Sequence, residues 1–466
     1  MPRGASVGWI AAKGWKSSAY WILLGIVALS PSVGWAQDEA ANPNSEVDTT
    51  LVAVADTSRQ VYQNEYIGQF SPGSGFDLLR TKRGSLNISF YGLFRYVNQL
   101  PADQTFTDHL GRTRTVKTNN MINWHRTFVW LTGFFYDQRF RYNISLWSLP
   151  TTQQTLLFGN LRYIAAKEIV FGVGLGPNLT ARSMQGSWPY WAGSDRQMAE
   201  EFHRGGFSSS AWITGEALPR FFYTAAVTNN LSQLGVVAAN DTRDMGYGVS
   251  IWTMPTTGEF GPRGGFGDLE HHMRPATRFG ASATHSRENR YAQLDQGPNA
   301  TQIRLSDGVF PFEANALAED VTVNFLDYDE MAFDAGLKYK GFSLQGEYYF
   351  RQLSKFDATW TGLGAAPASL VPHSAITDHG FMVEAGKMVV PRKLNLYAAA
   401  GYVFDHFDRK PWEIAGGASF YPYGNRVWRL NLHLIRIEKS PTGSSFGYYT
   451  AGQSGTTLSI GTDLLL

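Results

Sequence analysis

Apolar and polar side chains alternate along several stretches of this chain. In GSLNISFYGLFRYVNQ, Ile88 and Phe90 fall on one face and Arg95 on the other. The stretches RFRYNISLW, FSLQGEYYFRQL, VWRLNLHL and the C-terminal TTLSIGTDLLL alternate in the same way. A period of two indicates β-strands with one apolar and one polar face, so the chain is predicted to be all-β. Each strand by itself also fits a soluble sandwich.

The links between the predicted strands alternate between very short and long, which favours a membrane barrel. About sixteen candidate strands follow residue 84, and such barrels have short periplasmic turns, long external loops and an even strand count. The short links are 136–138, 166–168, 218–220, 340–341, 391–392 and 423–425. The long links are 99–123, 176–205, 230–243, 287–330, 354–378 and 440–454. One link, 255–276, is long where a short turn is due, so it is either a periplasmic excursion or a missed strand.

The N-terminus has the three parts of a secretory signal. Arg3, Lys13 and Lys16 precede an apolar run, and Gly34-Trp35-Ala36 provides small residues for cleavage. We therefore expect a signal peptide at 1–36, a partly disordered periplasmic arm at 37–75 and an outer-membrane barrel at 76–466. The final strand, at the extreme C-terminus, is expected to close the barrel.

Composition and charge fit an exported barrel. The chain of 466 residues has 48 Gly, 14% aromatic residues and no Cys, and unpaired thiols are a liability in an oxidising periplasm. A formal charge of +1 provides no general attraction for nucleic acid. Aromatic residues near strand ends are expected in the two interfacial girdles; they are Tyr96, Trp124, Trp147, Tyr339 and Trp428.

Motifs for enzymatic or metal chemistry are weak. The chain has no Gly-x-Ser-x-Gly elbow. Glu270-His271-His272 could supply metal ligands, but adjacent histidines point to opposite sides of an extended chain, so a loop surface is the preferred interpretation. We therefore expect no catalytic residues, no metal and no cofactor. A Ser, His and Asp assembled from distant strands would still permit an outer-membrane enzyme.

Four longer motifs occur in a characteristic order. They are GFDLLRTKRGSLNISFYGLFRY as the first strand, RTFVWLTGFFYDQRFRYNISL as the next hairpin, EIVFGVGLGPNLTARSMQ before the third long loop, and DRQMAEEFHRGGFSSSAWITGE after it. In this order the chain, from about residue 75 to 466, resembles the phosphate-selective porin O/P family of bacterial outer-membrane channels. The resemblance implies a homotrimeric, sixteen-stranded porin whose third external loop folds into the pore, with basic side chains along an anion path.

Carried over to this chain, the resemblance suggests candidate pore residues. The loop 176–205 offers Arg182, Arg196 and Arg204, and the polar faces of nearby strands offer Arg95, Arg139, Arg141 and Arg162. A guanidinium stays charged and presents a planar fork to phosphate-like oxyanions. The same loop carries Asp195, Glu200 and Glu201, which would cancel part of the field. Two interpretations stay open, namely anion preference and bracing of the loop by opposite charges.

The expected function is diffusion of small hydrophilic solutes or inorganic anions through a water-filled pore in outer-membrane lipid, with phosphate-like anions as the finer expectation. Two alternatives remain. One is an outer-membrane barrel enzyme. The other is a structural barrel plugged by the loop 287–330, or a carbohydrate-binding barrel that uses Trp188, Tyr190 and Trp191 as aromatic platforms.

Overall fold

Nineteen strands and one short helix make up the regular structure of the described residues in the computed structural model. The described residues are 75–149, 154–176, 179–182, 189–206, 208–229, 231, 244–261, 265–289, 302–443 and 447–466. The expected signal peptide (1–36) and all of the expected arm (37–75) except its last residue lie outside them. No helix in these ranges is long and apolar enough to cross a membrane.

Sixteen of the strands form one closed antiparallel barrel, as the sequence predicts. In chain order the elements are β1 (Phe76–Thr81), β2 (Gly84–Leu100), β3 (Asp103–Thr107), β4 (Thr113–Lys117), β5 (Asn120–Phe135), β6 (Asp137–Leu149), β7 (Gln154–Ala166), β8 (Ile169–Leu175), α1 (Met198–His203), β9 (Ser209–Leu218), β10 (Phe221–Thr228), β11 (Gly246–Thr253), β12 (Ala276–Asn289), β13 (Val321–Tyr339), β14 (Phe342–Trp360), β15 (Ala375–Val390), β16 (Leu394–Phe404), β17 (Trp412–Phe420), β18 (Trp428–Glu438) and β19 (Gly455–Leu465). The barrel consists of β2 and β5 to β19, each paired with its neighbours along the chain. Strands β3 and β4 form a separate hairpin in the first external connection.

The last strand closes the barrel against the first. In the β19–β2 ladder Leu465 lies opposite Tyr91 and Thr456 opposite Leu100. Beyond the ladder, the Leu466 N–H donates to the Phe90 carbonyl at 2.8 Å. Closure leaves no sheet edge in lipid, where an unpaired backbone group costs several kcal/mol. The predicted closing strand is therefore confirmed.

The two faces of the wall differ as the alternation predicts. On β18 the side chain of Leu432 points outward and is 49% exposed, whereas Arg429 and Asn431 are buried inside. Leu430 and Leu434 are outward and exposed as well. A closed barrel with an apolar outer face spans the bacterial outer membrane, because only such a surface suits lipid and only closure satisfies the strand backbones.

Three details differ from the sequence prediction or complete it. The motif predicted as a first strand is a hairpin, since β1 pairs with the start of β2. Trp147 is not in a girdle: it is 2% exposed and stacks on Phe128 inside the barrel at 5.2 Å. A register shift beside Leu93 inserts one extra residue in β5. As a result His125 and Arg126 are both buried, a bulge that alternation alone does not predict.

The outer face generates a stability prediction. Leu432→Arg should lower the free energy of unfolding in lipid vesicles by about 2–4 kcal/mol, because a cation at the bilayer midplane loses its hydration. Leu394→Arg is the matched control. It begins β16 at the short-turn end and should cost about 0–1 kcal/mol. Denaturant titration measures both changes, and equal losses in the two variants would contradict the assigned outer face.

Candidate functional site inside the barrel

The connection between β8 and β9, residues 176–208 and hereafter loop 3, contacts the inward faces of several wall strands. The Met198 N–H donates to Glu413 Oε1 on β17 at 2.6 Å. On the same strand, Ser419 Oγ donates to the Ala192 carbonyl at 2.6 Å. All six residues of α1 are buried. These contacts place the middle of loop 3 within the barrel.

Arg429 of β18 and Arg426, in the turn just before this strand, hold residues 189–191 of loop 3. Arg429 Nη1 donates to the Trp191 carbonyl at 2.6 Å, and Arg426 Nη2 donates to the Pro189 carbonyl at 3.0 Å. Both guanidinium groups also bind Asp463 on β19, each with a contact of 2.5 Å. Because β18 begins at the short-turn end, loop 3 extends from the external end to the opposite mouth.

Asp195 of loop 3 lies between two arginines of the wall. Its Oδ2 is 2.5 Å from Arg126 Nη2 on β5 and 3.4 Å from Arg95 Nη1 on β2. The three side chains are at most 3% exposed. In such a site each charge depends on its partners, because the loss of one leaves an uncompensated buried charge. The predicted pore residue Arg95 and the predicted bracing residue Asp195 are thus brought together.

The charges of loop 3 between residues 196 and 204 are paired with one another. Arg204 Nε and Nη2 each donate to a Glu201 oxygen at 2.7 Å, a bidentate pair. Arg196 Nε lies 3.5 Å from Glu200 Oε1, and its Nη1 lies 3.8 Å from Glu201 Oε2. The loop therefore carries its own compensation for most of its charge.

Arg182 contacts the wall at a separate point. Its Nη1 donates to Gln345 Oε1 at 2.8 Å, and its backbone N–H donates to Glu347 Oε1 at 2.8 Å. Its guanidinium also lies 5.2 Å from the ring centroid of Phe266. The predicted arginine is therefore buried among polar and aromatic groups.

The long connection 254–275, hereafter the inward turn, is an excursion with no strand among its described residues. Phe260 and Phe266 are buried. The Phe266 N–H donates to the Tyr190 carbonyl of loop 3 at 2.6 Å, and Lys338 Nζ donates to the Phe260 carbonyl at 2.8 Å. A small, partly open pocket lies at this junction, between Tyr190 of loop 3 and Phe266 of the inward turn. Sequence reasoning missed this contact, although the two aromatic residues in an overlong turn were a signal.

The three remaining candidates lie on β6 and β7 and are less buried. Arg141 and Arg162 are direct cross-strand partners, and both side chains are half-buried. Both follow the inward alternation, because Asn143 and Asn160, two residues away, are buried. Arg139 lies at the strand end, where it binds Asp137 at 3.0 Å and is largely exposed. Arg141 and Arg162 are therefore lumen cations with access to solvent.

The external half of the lumen contains an apolar cluster. It is formed by the described part of the connection 290–320, hereafter loop 5, against the inward faces of three strands. Leu305 and Phe312 of loop 5 are fully buried and belong to one cluster with Tyr328, Leu353 and Ile376. Loop 5 thus covers the wall above loop 3.

An ionic network around His272 holds the inward turn. His272 Nδ1 contacts Asp268, and Nε2 lies 2.9 Å from Glu259 Oε1. Burial disfavours charge on the imidazole, but the hydrogen bonds to both carboxylates outweigh it and raise the pKa of His272 from 6.5 to about 9. Asp268 also accepts the Gly341 N–H at 2.7 Å, which ties the turn to the β13–β14 hairpin. Asp268, Glu270 and His272 have potential ligand atoms within 4.8 Å of one another.

Comparison with known proteins finds no matching family and only distantly similar solved structures. No protein-family model matches the chain, so membership of the phosphate-selective porin O/P family stays a prediction. No curated protein matches it either. Among solved structures, the outer-membrane OmpT of Vibrio cholerae is 11% identical with a TM-score of 0.48, covering 83% of this chain and 99% of its own.

Two further solved structures are similar at the same level. An anion-selective porin from Comamonas acidovorans is 12% identical with a TM-score of 0.43, covering 81% of this chain and 99% of its own. The outer-membrane channel DcaP of Acinetobacter baumannii is 10% identical with a TM-score of 0.40, covering 84% and 99%.

The pairing of Asp195 generates a second prediction. Asp195→Ala should lower the free energy of unfolding by about 3–5 kcal/mol, because Arg95 and Arg126 are left buried without their counter-charge. Denaturant unfolding of the folded barrel in detergent measures the loss. Asp137→Ala is the control, since its pair with Arg139 is exposed and should contribute little. An unchanged free energy of unfolding in Asp195→Ala would show that the contacts of Asp195 with Arg95 and Arg126 do not hold loop 3.

The network around His272 predicts a pH dependence. Because the pKa in the folded state is raised to about 9, the contribution of His272 is fully present below about pH 6.5 and is lost as the pH rises through about 9. Deuterium exchange at the amides of the inward turn, corrected for intrinsic rates, should therefore accelerate across that range. His272→Gln should abolish the change, whereas His285→Gln, at the external end, should keep it. If the inward turn of the wild type shows the same exchange protection across this pH range, His272 does not hold the turn through its charge.

Proposed function

We propose that this protein is an outer-membrane porin, a restricted channel through which small hydrophilic solutes diffuse. The observation that carries the proposal is the position of loop 3, which is held from the external end to the opposite mouth by Asp195, Met198 and the carbonyl of Trp191. A loop fixed across a polar lumen reduces the cross-section of the pore, while the barrel wall remains complete. The arrangement supports size restriction as the main property of the pore.

For the charged residues we propose two roles. Arg182, Arg196 and Arg204, together with Arg95 of the wall, are engaged with acidic or amide partners and brace loop 3 with Asp195, Glu200 and Glu201. Arg141 and Arg162 are half-buried on adjacent strands and provide the positive field of the solute path. A channel needs such moderate, solvated sites, because an ion must leave as readily as it enters. Arg139 adds charge at the periplasmic mouth.

The finer expectations follow from the same proposal. Inorganic oxyanions such as phosphate suit the planar fork of Arg141 and Arg162. The resemblance to the phosphate-selective porin O/P family adds a homotrimer to this picture. Chemical crosslinking of the protein in native membranes should therefore yield a band of three chains.

A second candidate function is a structural barrel whose lumen is closed. The observation that favours it is the apolar cluster of loop 5, in which Leu305 and Phe312 are fully buried against Tyr328. Such packing resembles a protein core and would stop water from passing if it extended across the whole lumen. The two functions make opposite predictions for ion conduction.

Planar bilayer recording tests both functions. The purified, folded protein should insert with discrete conductance steps, and the reversal potential in a salt gradient should show preference for anions. A folded protein that inserts and never conducts would overturn the porin proposal and support the closed barrel. Conduction with preference for cations would keep the porin and remove the anion path.

The roles of the arginines generate a further prediction. Arg141→Ala and Arg162→Ala should each lower the anion-to-cation permeability ratio by a factor of about seven, because a unit charge about 7 Å away stabilises a solvated anion and destabilises a solvated cation by about 0.6 kcal/mol each. Arg196→Ala should leave the ratio unchanged and raise current noise, since that side chain braces loop 3. Arg139→Ala is the control on the same strand and should have a smaller effect. A shift confined to Arg196→Ala would reverse the two roles.

A further inference from the structure

Two histidines from different external connections meet at the mouth of the barrel. His373 lies in residues 361–374 between β14 and β15, and His406 lies in residues 405–411 between β16 and β17. The distance between His373 Nδ1 and His406 Nε2 is 3.1 Å, and the pair is exposed to solvent. One ring nitrogen of each histidine therefore lies beside the other.

The separation of the two nitrogens fits shared coordination of a metal ion. Zinc and similar ions bind imidazole nitrogen at about 2.0–2.1 Å. Two such nitrogens on one ion lie about 2.9 Å apart in a square-planar arrangement and about 3.3–3.4 Å apart in a tetrahedral one. The observed 3.1 Å falls between these values. A small adjustment of either ring would therefore admit the ion.

The rings are positioned by their surroundings. Phe407 packs edge-on to both, with centroid distances of 5.2 Å to His406 and 5.7 Å to His373. His109 of the first external connection also stacks on Phe407, with a centroid distance of 4.4 Å. The His406 backbone N–H donates to Asp378 Oδ1 at the external end of β15. The ligand atoms are therefore held before any ion arrives, which lowers the entropy lost on binding.

We propose that His373 and His406 bind one divalent transition-metal ion, such as Cu²⁺ or Zn²⁺, at the external mouth. Imidazole nitrogens suit these ions, whereas Ca²⁺ and Mg²⁺ require oxygen ligands. Solvent completes the coordination shell, because the pair is open to water. The bound ion links the connection after β14 to the connection after β16. The two ligands belong to external connections other than loop 3, and the proposal is independent of the proposed porin function.

The alternative is a plain hydrogen bond between the two rings, in which one imidazole N–H donates to the other nitrogen. The two cases differ in their response to added metal. A metal site binds Cu²⁺ with two imidazole nitrogens on the same ion, whereas a hydrogen-bonded pair does not retain it. Electron paramagnetic resonance resolves the nitrogen ligands of Cu²⁺ directly.

The test is a Cu²⁺ titration of the folded barrel in detergent, followed by electron paramagnetic resonance and repeated with Zn²⁺ as competitor. We expect one ion per chain with a two-nitrogen signature, displaced only by a large excess of Zn²⁺, because Cu²⁺ binds imidazole more tightly than Zn²⁺ does. His373→Ala and His406→Ala should each weaken its binding by at least a factor of about ten, since even the loss of an outer-shell partner costs that much. His272 of the inward turn lies among carboxylates and could also bind Cu²⁺. The test therefore relies on the part of the Cu²⁺ signal that disappears in His373→Ala and His406→Ala.

His285→Ala is the matched control. His285 is a partly exposed histidine at the external end whose Nδ1 contacts Asp329 at 2.8 Å. The His285→Ala variant should bind Cu²⁺ as the wild type does. The proposal is overturned if His373→Ala and His406→Ala retain the two-nitrogen signal, or if His285→Ala loses it equally. Heat-modifiable migration in electrophoresis verifies that each variant is folded, and both sites of substitution lie in exposed connections.

Discussion

Pairing of every backbone amide and carbonyl in the wall is the constraint on which the rest of this structure depends. In hydrocarbon an unpaired backbone group costs several kcal/mol, so the sheet must have no edge. The ladder between β19 and β2 removes that edge, and the hydrogen bond from Leu466 to Phe90 extends it to the last residue. Once the barrel is closed, alternate side chains must face lipid and lumen. The apolar outward row on β18 and its buried Arg429 and Asn431 follow directly.

Closure creates a second requirement, because the polar inner faces enclose many charges. Loop 3 meets it by bringing Asp195 to Arg95 and Arg126, and by offering backbone carbonyls to Arg426 and Arg429. The wall and the loop therefore compensate each other's charges, and neither is complete alone. This mutual compensation explains why so many arginines of the interior are engaged in bracing. It also explains why the half-buried Arg141 and Arg162 are the better candidates for contact with a solute.

The inward turn departs from the alternation of short and long links, and its extra length makes contacts inside the barrel. It lies at the short-turn end, where a two- or three-residue link would suffice. Its aromatic residues Phe260 and Phe266 extend into the barrel, and its hydrogen bond to Tyr190 joins it to loop 3. Protonated His272 fixes the turn through Asp268 and Glu259. The periplasmic mouth is therefore built from two segments distant in sequence.

Alternation by itself determined the all-β class, because a period of two follows from backbone geometry and needs no partner. The lengths of the links between strands added the barrel, its approximate strand number and the closing strand. The resemblance to the porin O/P family, and not alternation, suggested Arg95, Asp195 and the loop 3 arginines as candidates. The sequence did not determine which charges pair, since Asp195 and Arg126 are 69 residues apart and meet only when the barrel closes. The bulge that buries His125 with Arg126, the inward position of Trp147 and the approach of His373 to His406 were likewise decided by tertiary structure. These three features depend on strand register and loop packing, and local residue spacing does not encode register or loop packing.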